Sequence, residues 1–126
     1  MQPTHIKLHR KSGILELTWA ETVFPLSAEY LRVFSPSAEV TGHGPGQEVL
    51  QLNKSGVQIT GVEPQGNYAI KLVFSDGHDT GIYTWQYLHE LATNHTANWQ
   101  DYLQRVAAHK QEEEAAQTSA VKWVDP

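Results

Sequence analysis

At 126 residues, the chain fits one domain that is long enough to bury a core without staples. Apolar residues make up 40% and charged residues 18%, a globular balance that excludes a disordered chain. A net charge of −5 with no run of Lys and Arg excludes a nucleic-acid surface. The absence of cysteine excludes disulfide scaffolds, thiolate nucleophiles, iron–sulfur ligation by cysteine and the usual zinc fingers.

Met1-Gln2-Pro3-Thr4-His5 lacks the basic stretch and apolar block of a secretory signal, and the apolar runs are far shorter than the ~20 residues that cross a bilayer. The expected location is the cytoplasm. From His5 to Arg10 the chain alternates, Ile6 and Leu8 against His5, Lys7 and His9, and Leu15, Leu17 and Trp19 repeat that period beyond Lys11-Ser12-Gly13. Two alternating runs around a Gly-containing turn predict a β-hairpin. Val23-Phe24 reads as a further short strand ending at Pro25. Ser27 is a candidate N-cap for a helix from Ala28 to Phe34 that buries Leu31, with Tyr30 and Phe34 beside it, and Pro36 stops its continuation.

Thr41 to Gln47, with three glycines and a proline, reads as a loop. Val57 to Val62 is expected to form a strand, turned back by Glu63-Pro64-Gln65-Gly66. Asn67 to Phe74 is expected to pair with it, placing Tyr68, Ile70, Leu72 and Phe74 on one face. After the tight loop from Ser75 to Gly81 comes a brief extended pair, Ile82-Tyr83. Thr84 can then cap a helix to about Thr93, with Trp85, Leu88 and Leu91 or Ala92 inward. A last helix carries Trp99, Tyr102, Leu103 and Val106 at helical spacing. The stripe stops near Ala107, so residues 1–107 read as one domain and 108–126 as an acidic, flexible tail. The fold class expected is α+β, with a mostly antiparallel sheet, a short helix after the first hairpin and two C-terminal helices.

Asp76-Gly77-His78-Asp79 is the most polar cluster next to core strands. Two carboxylates and an imidazole can ligate a metal or exchange protons, but Asp-Gly is also an ordinary turn. The facial iron triad fails because His78 and Asp79 are adjacent. Gly42-His43-Gly44-Pro45-Gly46 fails as a phosphate loop, since Gln47-Glu48 stands where Lys-Ser/Thr is required. A hydrolytic triad from Ser35 or Ser37, His78 and Asp76 lacks the Gly-x-Ser-x-Gly elbow. His5 and His9 read as solvated.

Two segments resemble a known family. Leu31-Arg32-Val33-Phe34-Ser35-Pro36-Ser37-Ala38-Glu39-Val40 is similar to the motif Leu-Arg-x-x-Cys-Pro-Cys-Ala-x-Cys. Phe74 through Leu88 is similar to Trp/Phe-Ser-Asp-Gly-His-x-Thr-Gly-x-Tyr-x-Trp-x-x-Leu. Both are hallmarks of the gamma-butyrobetaine hydroxylase-like N-terminal domain family, a domain of unknown function. The resemblance implies a domain that precedes carnitine-synthesis dioxygenases, ends some Mrp-type ATPases, or stands alone in bacteria, as this chain is expected to do.

In that family three Cys and the His of Ser-Asp-Gly-His hold a zinc. Carried over, the positions are Ser35, Ser37, Val40 and His78, of which only the imidazole is a good zinc donor. No metal and no cofactor is therefore expected, and no catalytic residue is assigned. The leading reading is a non-catalytic accessory or protein-interaction domain whose candidate loop comprises Asp76, Gly77, His78 and Asp79 with Arg32. It expects an unidentified protein partner, no nucleic acid, no membrane and a monomer. The alternatives are metal or iron–sulfur handling through His78, Asp79 and His43, and an enzyme with an unrecognised site.

Overall fold

The computed structural model describes residues 1–44 and 46–124, with side chains as far as residue 116. The chain divides into two compact units, residues 1–95 and 96–126. The first holds β1 (His5–His9), β2 (Ile14–Trp19), β3 (Thr22–Ser27), α1 (Ala28–Val33), α2 (Ala38–Thr41), β4 (Ile59–Gln65), β5 (Ala69–Phe74), β6 (Ile82–Thr84) and α3 (Trp85–Thr93). The α+β class holds, and its antiparallel strands form two three-stranded sheets, ordered β1-β2-β3 and β4-β5-β6.

In the first sheet β2 buries Leu15, Leu17 and Trp19 and leaves the residues between them half-exposed, as period two requires. The register sets Ile6 and Leu8 beside Leu17 and Leu15, yet β1 is almost wholly exposed, so the core stops short of this edge. Strand β3 runs through Pro25 to Ser27 instead of ending at the proline, which an edge strand tolerates. A two-residue loop, Ala20-Glu21, joins β2 to β3 with φ of 47° and 68°. Both residues are left-handed, as a primed hairpin turn demands, without the Asn-Gly that usually supplies it.

The second sheet is more deeply buried. Ile70, Leu72 and Phe74 point to the core, and Ala69 is covered on the other face. Tyr68, expected in that row, precedes the strand and is 59% exposed. Strand β4 continues through Glu63-Pro64-Gln65, so the turn falls at Gly66. Helix α1 contributes Tyr30, Leu31 and Val33 to the core, and α3 contributes Trp85, Leu88, Leu91 and Ala92.

Ser27 and Thr84 cap α1 and α3 by accepting from the amides of Tyr30 and Tyr87. The one-turn helix α2, which the sequence pattern does not predict, ends at Thr41, where the glycine-rich loop is expected to begin, and Ser37 caps it by accepting from Glu39 N.

Apart from its first residue, helix α4 (His95–Val124) belongs to the second unit. Within it the rings of Trp99 and Tyr102 lie 5.0 Å apart and Tyr102 is buried, while Leu103 is exposed. The acidic stretch from residue 108 continues the helix to Val124, with an Asp101–Arg105 ion pair and a His109–Glu113 contact at i, i+4 spacing.

Candidate functional site

Two loops are brought together by the elements that end in them. Helix α1 stops at Val33, and its last carbonyls need donors from elsewhere. The hydroxyl of Tyr83 donates to Leu31 O and that of Tyr87 to Phe34 O, which fixes the chain as it enters Ser35-Pro36-Ser37. On the other side β5 ends at Phe74. The following turn is closed by Gly77 N donating to Phe74 O and by Phe74 N donating to His78 O. Gly77 has φ of 90°, which an L side chain would resist. Asp76 Oδ1 accepts from His78 N, setting the imidazole toward Ser35.

The contact is a buried hydrogen-bonded clasp. His78 Nε2 lies 2.8 Å from Ser35 Oγ, and Nδ1 lies 3.2 Å from Glu39 Oε2. Ser37 N donates to Ser35 Oγ at 3.3 Å, and Ser37 Oγ meets Thr80 Oγ1 at 2.7 Å. A Cβ on Gly81 would stand 2.5 Å from Ser35 Oγ, so only glycine leaves room for this approach. Burial, helped by the Arg32 guanidinium, lowers the His78 pKa against the opposing pull of Glu39 and Asp76. The ring is neutral near pH 7, and an Nδ1–H directed at Glu39 leaves Nε2 to accept from Ser35.

At the rim Asp76 Oδ2 lies 2.9 Å from both Arg32 Nε and Lys54 Nζ. Burial works against the Asp76 charge, but the bonds from Lys54, the His78 amide and Arg32 outweigh it and hold the pKa down to about 2.

The structure therefore joins Ser35, Ser37 and His78, as the carried-over positions require. Val40 is buried on α2 and offers no donor atom. Arg32 and Asp76 pair with each other, while Asp79 and His43 are exposed. The residues do not fit a zinc ion: two hydroxyls, an isopropyl group and one imidazole already bonded at both nitrogens make no tetrahedral donor set. Among the described residues no group of three His, Cys, Asp or Glu could hold a metal.

Sequence reasoning missed Glu39, Thr80 and Lys54. For Glu39 the available signal was Ser37, whose N-cap character predicts the turn that brings residue 39 back over residue 35.

Ser35, His78 and Glu39 stand in the order of a nucleophile, a base and an orienting acid, with Glu39 in the place that the sequence reading tried to give to Asp76. A reacting carbonyl needs open space about 3 Å from the nucleophile. Ser35 is 1% exposed and wedged against Gly81, so that space is filled. A cavity of about 510 Å³ lies elsewhere, lined by Tyr68, Trp85, Asn67 and Gln86, and no charged side chain borders it. No helix among the described residues is long and apolar enough to cross a membrane.

Residues 6–89 match the family described as gamma-butyrobetaine hydroxylase-like, N-terminal. Two NMR solution structures are each 51% identical to the chain and cover 86% of it. They have TM-scores of 0.78 and 0.73, and 86% and 82% of their own chains are covered. A crystal structure of a protein of unknown function from Acidithiobacillus ferrooxidans, of the DUF971 family, is 38% identical with a TM-score of 0.60. It covers 72% of this chain and 92% of its own. No match was found among curated proteins.

Proposed function

The chain belongs to the gamma-butyrobetaine hydroxylase-like N-terminal family, and on that footing we propose that it is a non-catalytic protein-interaction domain whose working surface is the rim of the clasp. One observation carries the reading. The side chains at the family's metal positions are turned inward on each other, with Ser35 and His78 buried, while Asp79 and Thr80 stand exposed beside them. The buried groups hold two loops in register, with Thr80 tied to Ser37 at their rim, and the exposed Asp79 is placed to meet a partner.

Affinity capture from lysate with the wild-type chain is compared with Asp79→Ala, Thr80→Ala and Asp76→Ala. The expected result is a partner that the wild type retains and Asp79→Ala loses without a change in melting temperature, while Thr80→Ala, which also gives up the bond to Ser37 Oγ, loses the partner together with some stability. Asp76→Ala is expected to lose both partner and stability. The reading fails if all three variants capture the same proteins as the wild type, or if the purified chain carries one tightly bound zinc or iron.

A further inference from the structure

Each sheet has two edges, and three of the four are closed to an incoming strand. Strand β3 carries Pro25 and β4 carries Pro64, neither of which can donate to a ladder, and β6 has only three residues. Strand β1 has five residues, no proline and almost complete exposure. Residues 5–11, His-Ile-Lys-Leu-His-Arg-Lys, hold three of the nine Lys and Arg of the chain and none of its fourteen acidic residues. Among the side chains opposite β1, Glu16 is the acid, facing Lys7 in the register and 3.7 Å from His9. Ile6, on the face that β2 devotes to the core, is 38% exposed.

We propose that β1 is a docking edge for an acidic extended segment of another protein, which adds as a fourth strand and alternates carboxylate with aliphatic side chains. Main-chain hydrogen bonds to the open edge supply affinity, and the alternation supplies selectivity. Carboxylates meet Lys7, His5 and His9 on one face, and aliphatic groups cover Ile6 and Leu8 on the other. A second copy of this chain does not fit, because antiparallel pairing of two β1 strands sets lysines and histidines against one another. Lysine on an edge also serves to keep strands away. That alternative makes the opposite prediction, an edge that accepts no peptide of either charge.

The test is amide NMR titration with an acetylated nine-residue peptide alternating Glu and Val. The controls are its Lys-Val counterpart, a scrambled Glu/Val peptide and a single-stranded DNA oligomer. The expected result is shifts confined to residues 4–9 and their neighbours on β2, produced by the alternating acidic peptide alone. A Lys7→Glu, Lys11→Glu double variant should bind about tenfold more weakly and gain affinity for the Lys-Val peptide. No binding at millimolar peptide, equal binding of the scrambled peptide, shifts elsewhere on the chain, or stronger binding of DNA would each overturn the proposal. The double variant's unchanged spectrum away from β1 verifies folding.

Discussion

The two sheets are built alike, three antiparallel strands each, yet their central strands live in different surroundings. Strand β2 alternates buried and half-exposed residues, whereas β5 is covered on both faces at Ala69 and Ile70. The second sheet is therefore the anchor, and β5 runs straight from it into the turn that presents His78. The first sheet covers the core with one face only, which leaves its outer strand free to vary. The lesson is a division of labour: burial is concentrated in the sheet that leads into the clasp, and exposed residues are kept on the outer strand of the other sheet.

The largest expected effect separates the sheets directly. Leu72→Ala should cost about 3–4 kcal/mol, and Leu8→Ala on the half-covered edge about 1 kcal/mol, read from denaturant midpoints. Equal losses would show that β1 is as integral as β5.

Gly81→Ala comes next, at about 1–3 kcal/mol, since the new methyl group meets Ser35 Oγ. Adding Ser35→Ala removes that atom, so the double variant should lose less than the two single variants together. Strict additivity would mean that Ser35 and Gly81 do not share the clasp.

Acid should act on the anchor side. Asp76 has a folded pKa near 2 against an ordinary value of 3.8; with solvent screening of this exposed residue its contribution is about 1 kcal/mol, present above pH 3.8 and lost as pH falls toward 2. His78 is shifted in the same direction, so its contribution is full above pH 6.5 and begins to fall below it. Unfolding free energy measured from pH 7 to 3 should decline in both windows, and His78→Gln should flatten the upper one.

The smallest effect is a gain. Ala20→Asn with Glu21→Gly relieves two left-handed residues and should add about 1 kcal/mol to thermal stability while leaving the clasp unchanged.

Much of this arrangement was legible in the residues. Ser27 and Thr84 announced the helices that they cap, and the alternation of Leu15, Leu17 and Trp19 announced β2. The exposure of the edge is not in the pattern, because period two tells which residues share a face but not whether anything covers it, as Ile6 shows. Strand β4 runs past the turn expected at Glu63 because a proline on an edge strand costs no ladder bond. Within the site, motif resemblance pointed to Ser35, Ser37 and His78. Thr80 lies in the same motif as His78, though nothing local shows that it meets Ser37, and Lys54 joins through a contact spanning 22 residues, for which no local pattern exists.

The tyrosine hydroxyls at the end of α1 give the fold a built-in optical gauge. Tyr83 and Tyr87 act as donors, so ionising either one deletes the bond that it makes to a helix carbonyl. Burial pushes both upward, Tyr87 to about 12 and Tyr83 beyond it, so their stabilisation is complete below pH 10 and drains away in stronger alkali. Phenolate absorbance from these two residues should accordingly rise only in strong alkali. That rise should coincide with loss of the circular dichroism of the helices, because these core phenols release their protons only when the core comes apart.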